Sequence, residues 1–480
     1  MSLGENGYAL LPLRFGRLTT RPHDQRYLLT NYVGEHVVLD RATLDDFARH
    51  RLPPDSRVYR DLKSRHFLLD AGSEVAIDLL AAKYRTQKAF LADSTSLFMF
   101  VTTLRCDHRC TYCQVSRRAE DAAGCDMTRE TARRAVDFMF RCPSPHVKVE
   151  FQGGESLLKF DIVRYIVELV EERNCQEQRD VAFVLTTNLS TISNEVLSFC
   201  ADHGVDISTS LDGPRDLHNA NRPCVKGDSY DEAVRGIEAV RDALGPHSVA
   251  ALMTTTRPSL RRGREIVDEY LQRGFSSIFL RMINPYGYAG SNTNTGSFSY
   301  TAEQWLEFYR DTLDYILELS AGGVDFREEF TELIVRKILS PYATGFVDLQ
   351  SPAGIGIAGI VFNYDGDVYC SDEGRMLAEM GDRRFRMGSV LRDSHADIML
   401  DERFVETVER SMAECVPGCA DCVFQPYCGS DPVRHYRTQG DIVGFKPTSD
   451  FCRKNAGVIR HVIGLLEDDP QAAEVLKSWV

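Results

Sequence analysis

Three cysteines in one short stretch, Cys106-Asp107-His108-Arg109-Cys110-Thr111-Tyr112-Cys113, constrain this chain more than any other feature. They follow the apolar run Ser96-Leu97-Phe98-Met99-Phe100-Val101, which reads as a buried strand. Open α/β sheets and barrels place their chemistry where strands end, and thiols grouped there suit a metal cluster. Thiolates are the usual ligands of iron–sulfur clusters, and a four-iron cluster wants four of them. Three from one loop leave one iron open to a small molecule. Two other readings stay open on the spacing alone. One is three unrelated buried cysteines. The other is a zinc site with His108 as fourth ligand, at a spacing no common zinc motif uses.

A chain of 480 residues is long for one domain, so two or three are expected. Its net charge of −14 argues against nucleic acid held by bulk electrostatics. No stretch reads as a membrane span and the N-terminus lacks a signal pattern, so a cytoplasmic protein with no membrane partner is expected. In a reducing compartment, 14 cysteines are many, and grouped ones should be metal ligands. The second group is Cys415, Cys419, Cys422, Cys428 and Cys452, with Cys370 upstream. Cys125, Cys142, Cys175, Cys200 and Cys224 are scattered and read as small buried hydrophobes.

Residues 1–73 read as a separate small unit. It has a first strand at 10–18, a hairpin at 26–40, a helix capped by Asp40, a second short helix near 58–62 and a closing strand at 67–69. This order resembles the winged-helix elements by which maturases of ribosomally made peptides capture a leader as an added strand. Residues 74–95 read as a helix connecting to the next unit. From 96 to 300 strands alternate with helices. Strands are expected at 98–104, 147–151, 181–187, 205–211, 249–255 and 278–283, with helices at 128–140, 160–171, 193–203, 230–244 and 262–273. Six such repeats imply parallel pairing with right-handed crossovers. Helices at 301–319 and 330–339 are expected to bridge 301–350 to a C-terminal unit, 351–480. The turn-rich loop at 285–292 suits substrate contact.

Several motifs fall where those strands end. Gly153-Gly154-Glu155 follows the second strand; glycines permit close backbone approach and the acid can accept from an ammonium group. Thr186-Thr187-Asn188 follows the third. Ser208-Thr209-Ser210-Leu211-Asp212-Gly213-Pro214 follows the fourth, with His218-Asn219-Ala220-Asn221-Arg222 after it. With the three cysteines and Tyr112 before the last of them, this set resembles the radical S-adenosylmethionine (SAM) superfamily. The resemblance implies an α/β fold built on a partial (β/α)6 barrel. It implies a [4Fe–4S] cluster on Cys106, Cys110 and Cys113, and SAM bound by Tyr112, Gly153, Gly154, Glu155, Asn188, Ser210 and Arg222. Arg222 would pair with the SAM carboxylate, which its fork suits. Asp212 reads as a turn residue.

Near the C-terminus, Cys419-Ala420-Asp421-Cys422, Cys428 and Cys452 fit one fully ligated cluster, with a four-thiolate zinc site as the competitor. The spacing resembles the later part of the SPASM pattern, found in radical SAM enzymes that modify peptides and proteins. That pattern implies at least one auxiliary [4Fe–4S] cluster. Its earlier half departs here. Asp365-Gly366-Asp367-Val368-Tyr369-Cys370 keeps one cysteine, the preceding one is missing, and Pro432 stands where another belongs. Both missing positions serve one cluster, so a single auxiliary cluster is expected, with Cys370 and Cys415 as additional or replacement ligands. Asp372 follows Cys370 near where a related sulfatase-maturing enzyme places its catalytic acid, and is the candidate proton acceptor.

The tail Phe424-Gln425-Pro426-Tyr427-Cys428, Gln439-Gly440-Asp441 and Pro447-Thr448-Ser449-Asp450-Phe451-Cys452, with Tyr59-Arg60-Asp61-Leu62, is similar to the B-type radical SAM maturase of the His-Xaa-Ser peptide system. This implies oxidation or cross-linking of a precursor peptide carrying a leader, an external electron donor of flavodoxin or ferredoxin type, and a second radical SAM maturase as partner. A formylglycine-type sulfatase-maturing enzyme and a non-catalytic, zinc-stabilised peptide-binding scaffold are the alternatives.

Overall fold

The computed structural model describes residues 7–19, 25–225, 227–290 and 299–480. The N-terminal unit builds its own core from Tyr8, Leu29, Phe47, Tyr59, Leu62 and Phe67. The expected first strand is split into β1 (Tyr8–Leu10) and β2 (Leu13–Arg17). Pro12 falls between them; it has no N–H to continue a ladder, so the chain leaves one sheet and enters another. β2 pairs with β3 (Tyr27–Asn31), which pairs with β4 (His36–Leu39). β1 pairs instead with β5 (Leu68–Asp70). Asp40 and Ser56 cap the helices Arg41–Ala48 and Arg57–Ser64 by accepting from Thr43 N–H and Tyr59 N–H, each cap contributing about 1 kcal/mol.

The connecting helix forms as Ala76–Gln87. Its apolar side is largely uncovered: Val75, Ile77 and Leu79 are 57%, 54% and 46% exposed. Polar contacts fasten it, from Lys83 to Glu35 and Gln87 to the Val33 carbonyl.

Six strands then run parallel in sequence order: β6 (Leu97–Thr103), β7 (His146–Gly153), β8 (Asp180–Thr186), β9 (Val205–Ser210), β10 (Val249–Thr254) and, after the short β11 (Ser277–Ile278), β12 (Leu280–Arg281). Each sits beside its sequence neighbour with a helix crossing over, giving an open, partial barrel. Side chains alternate across these strands. Phe98, Phe100, Val149 and Phe151 pack outward under the helices. Leu97, Met99, Glu150 and Gln152 point inward.

The C-terminal residues do not form a detached unit. After β13 (Arg327–Glu328), which pairs with β11, the strand β14 (Gly359–Phe362) joins the barrel sheet in parallel beside β6. β15 (Asp367–Tyr369) and β16 (Arg386–Ser389) continue it antiparallel, making a sheet of nine strands among the described residues. Phe362 explains the docking. Its ring lies 5.0 Å from Phe100 and 5.5 Å from Phe138, and burying a phenylalanine contributes about 1.5–3 kcal/mol. The helices Ala302–Ala321, Glu329–Leu339 and Asp450–Asp468 pack over the barrel's open side. The N-terminal sheet in turn rests on the C-terminal cysteine loop: Arg14 Nε donates to the Ala420 carbonyl at 2.6 Å and Thr30 Oγ1 to the Val423 carbonyl at 2.8 Å. Among the described residues no helix is long and apolar enough to cross a membrane.

Candidate active site

A cavity of about 590 Å³ opens at the C-terminal ends of the barrel strands. Cys106, Cys110 and Cys113 line it together, although the first sits at the end of β6 and the others in the loop beyond. Backbone contacts strap that loop: Arg109 N–H donates to the Pro223 carbonyl at 2.7 Å, Thr111 N–H to Asn221 at 2.8 Å, and Tyr288 N–H to Cys113 at 2.8 Å. The loop after the last barrel strand thus packs on the cysteine loop; its Ser291 and Asn292 lie outside the described residues.

Gly153 and Gly154 have a steric reason. A Cβ on Gly153 would stand 2.2 Å from the Thr103 carbonyl oxygen, and one on Gly154 2.2 Å from that of Arg105. The end of β7 lies against the backbone leading into Cys106, and the Gly154 and Glu155 amides bond the same two carbonyls at 2.8 and 2.7 Å. Gly154→Ala is expected to displace Cys106 and to lower both stability and iron content; unchanged iron per chain in the purified variant would contradict this.

Glu155 does not reach the cavity. It is 1% exposed and accepts from Thr187 Oγ1 at 2.6 Å, Asn188 N–H at 2.7 Å and Leu157 N–H at 3.0 Å. Burial nevertheless raises its pKa to about 6. The Asn188 side chain is turned to the cysteine loop as well. Its Nδ2 donates to Asp107 Oδ1 at 2.8 Å, and Ser190 Oγ donates to Asp107. Burial works against the Asp107 anion, but hydrogen bonds from His108, Ser190 and Asn188 outweigh it and hold the carboxyl well below the usual range. His108 Nδ1 is taken up by Asp107 and Asn188 at 3.0 and 2.8 Å, so that nitrogen is engaged away from the thiols.

Asp212 is more than a turn residue. Fully buried, it accepts from Tyr112 OH at 2.8 Å, Arg222 Nε at 3.2 Å and Thr254 N–H at 3.2 Å. Arg222 lies 5.3 Å from the Tyr112 ring and its NH1 is 4.0 Å from Cys110 Sγ. Burial opposes the guanidinium charge, yet Asp212 keeps it ionised. Arg222 and Ser210 both line the cavity.

The C-terminal residues supply the opposite wall, and sequence reasoning missed most of it. Asp372 lines the cavity, but its Oδ1 is held by Arg375 NH2 at 2.7 Å. The neighbouring Glu373 faces the same space without such a partner, joined by Asp348, Asp431 and Lys454. Only Glu373, beside the predicted Asp372, carried a sequence signal. Cys370 is buried and lines the cavity too, whereas Cys415 is exposed. Of the scattered cysteines, Cys125, Cys142 and Cys200 are buried as expected, but Cys175 is exposed.

Both thiol groups suit iron–sulfur ligation by the chemistry of their donors. Burial pushes Cys110 up to about 12, against the opposing pull of Arg222, and raises Cys106 further, with Glu155 adding to it. Cys419, Cys422, Cys428 and Cys452 repel one another, with Cys419 at about 12 and Cys452 at about 11 through burial. Such sets are poor isolated thiolates and good ligands of a positively charged cluster core. Among the described residues no three His, Cys, Asp or Glu side chains converge as one metal ion requires, which weighs against a single zinc in either place.

Residues 100–269 match the Radical SAM superfamily. An uncharacterized protein of Methanothermobacter thermautotrophicus is 28% identical over 244 residues, covering 50% of this chain and 82% of that one. A cysteine-type anaerobic sulfatase-maturating enzyme of Clostridium perfringens is 22% identical over 287 residues, 58% of this chain and 74% of its own. Among solved structures, anSMEcpe with bound AdoMet superposes with a TM-score of 0.66 at 17% identity, over 80% of this chain and 99% of that one. Streptococcus suis SuiB bound to its precursor peptide SuiA gives 0.53 at 13% identity, over 91% and 98%. These likenesses establish the fold.

Proposed function

We propose that this chain, which carries a radical SAM domain, is an enzyme that modifies residues of a peptide substrate by radical chemistry. One observation carries the reading: a single cavity has the three-cysteine loop, Ser210 and Arg222 on one wall and a charged wall from the C-terminal residues on the other. In this reading Cys106, Cys110 and Cys113 hold a [4Fe–4S] cluster, and Gly154, Ser210 and Arg222 hold SAM against it. When bound, that pair would supply one-electron cleavage of SAM and hydrogen-atom abstraction from the substrate. Asp212 orients Arg222 and Tyr112, and the C-terminal wall closes the site to water. Cys419, Cys422, Cys428 and Cys452 would hold an auxiliary [4Fe–4S] cluster, which would supply a one-electron acceptor for the substrate; the partner proposed for the first cluster is an external electron donor of flavodoxin or ferredoxin type.

The N-terminal unit binds a leader peptide as an added strand. Supporting this, β2 and β4 are the outer strands of their three-stranded sheet, each pairing among the described residues with β3 alone. The substrate proposed is a precursor with His-Xaa-Ser repeats, processed alongside a second radical SAM maturase. Similarity to the sulfatase-maturating enzyme favours a second reading, oxidation of a cysteine or serine in a sulfatase. Anaerobic co-expression with each candidate, followed by mass spectrometry, separates them. Loss of two hydrogens per site in the repeat peptide supports the first; change confined to the sulfatase peptide supports the second; no change in either counts against both.

Cys428→Ala is expected to retain uncoupled 5′-deoxyadenosine release while product formation falls by more than about 100-fold, beyond the usual cost of an outer-shell change. Product at the wild-type rate would remove the auxiliary cluster from turnover.

A further inference from the structure

Arg14 belongs to the N-terminal unit, on β2, yet it is buried against the C-terminal cysteines and 4% exposed. Its Nε donates to the Ala420 carbonyl at 2.6 Å, between Cys419 and Cys422, and the Tyr32 ring lies 4.2 Å from the guanidinium. Its two other nitrogens are buried with no hydrogen-bond partner among the described residues. Gly16 lets β2 come this close: a Cβ there would stand 3.0 Å from Val423 Cγ1. A buried charge is costly unless one of opposite sign pairs with it, and among the described residues no carboxylate pairs with Arg14. The group it acts on is the Cys422 thiol.

The other charges around these cysteines point the same way. Arg460 also acts on Cys422, and Lys446 on Cys419 and Cys452. Neither makes an ion pair among the described residues: Arg460 lies over the Phe424 ring at 5.1 Å, and Lys446 Nζ donates to the Val443 carbonyl. Lys337 feels Cys428 and donates to the Leu349 and Cys428 carbonyls. Two further cations are accounted for. Arg453 pairs with Asp450 and Glu303, and Lys454, which feels Cys428, faces Asp348 and Asp431 as well. On the acidic side, Glu414 is taken by Lys88, and Asp421, inside the cysteine loop, is exposed.

Asn455 adds a second kind of contact. It stands one turn after Cys452 in the helix Asp450–Asp468, so both side chains lie on one face. It is fully buried; its Nδ2 donates to Cys428 Sγ at 3.5 Å while its Oδ1 has no partner. The reversed amide would set oxygen against a sulfur that, as a thiolate, can only accept.

Neutral thiols would need none of this. Four thiolates around an iron–sulfur core carry net negative charge, and one more electron adds to it. Positive charge nearby and hydrogen bonds to the sulfurs both favour the reduced form. We infer that Arg14 and Asn455 raise the reduction potential of the auxiliary cluster, Arg14 as its buried counter-ion and Asn455 as the donor to the Cys428 thiolate. The couple is a one-electron change with no group transferred. The inference rests on the auxiliary-cluster reading above and deepens it: the site favours taking up an electron, and the N-terminal unit supplies part of it.

The test uses the full chain with Cys106, Cys110 and Cys113 all replaced by alanine, so that the C-terminal cysteines are read alone. Clusters are rebuilt anaerobically, and iron and zinc are counted per chain. The midpoint potential is read by dithionite titration followed by electron paramagnetic resonance. Arg14→Gln and Asn455→Leu are each expected to lower the midpoint by about 59 mV, a tenfold loss in the one-electron equilibrium, with iron content unchanged. Arg14→Lys keeps the charge and should recover most of that shift. Arg133→Gln, which removes a charge from an outer barrel helix, should leave the midpoint in place. Where Arg14→Gln does not hold iron, Arg14→Met, which keeps the packing of the stem, takes its place. An unchanged midpoint in either the Arg14 or the Asn455 variant, with iron retained, overturns the inference for that residue and leaves the cluster reading standing. Zinc in place of iron at these cysteines overturns both.

Discussion

Cys113→Ala is expected to abolish reductive cleavage of SAM, and Cys106→Ala and Cys110→Ala should do the same. A four-iron cluster with an open iron depends on all three thiolates. Loss of even an outer-shell partner of a metal site costs roughly 10–100-fold, so loss of a ligand should exceed about 100-fold in 5′-deoxyadenosine release. The visible absorbance of that cluster and the iron tied to it should go as well, while iron held at the C-terminal cysteines remains. Cys142→Ala is the control, since Cys142 is a buried core residue away from the cavity. Persistent 5′-deoxyadenosine release from any of the three variants would contradict the assignment.

Asp212→Ala is expected to cost about 3–5 kcal/mol in denaturant unfolding, the range for removing one partner of a buried ion pair. The pair sits deep: Asp212 is fully buried and Arg222 is 13% exposed at its side chain. The variant would leave a guanidinium without its counter-ion, Tyr112 OH without its acceptor, and Thr254 N–H without its cap. SAM affinity should fall with it, because Arg222 would no longer be aimed into the cavity. Asp212→Asn keeps an acceptor oxygen and loses the charge, so it should lie between. A stability within about 0.5 kcal/mol of wild type, the usual spread for surface changes, would show that Arg222 finds another anion.

The connection between the two effects is the parallel sheet. Cys106 leaves β6, Gly153 and Gly154 end β7, Asn188 follows β8, Asp212 follows β9 and Thr254 ends β10. Residues scattered over some 150 positions thus come to one rim, since every strand points the same way.

The apolar period and the caps made the six barrel strands and their helices legible. Thr128, Ser193 and Thr301 each cap the helix that the pattern places after them. The three thiols were legible because their spacing lies within one loop. Other features were not. Gly-Gly-Glu looks like a ligand motif, yet Glu155 turns inward, because three donors within the fold already claim its carboxylate. Asp372 looked available, but an arginine one helical turn on takes it.

By itself, then, the sequence determined the barrel, its order of strands and the grouping of the cysteines, all of which follow from local periodicity and short-range spacing. Only the tertiary structure decided that β14 joins the barrel beside β6, that Asp212 is the counter-ion of Arg222, and that Asp348, Glu373 and Asp431 meet across one cavity. The physical reason is the range of the interactions. Caps, turns and ligand loops are settled within a few residues, whereas charge balance inside a cavity sums over segments about 80 positions apart and exists only once the chain has closed around it.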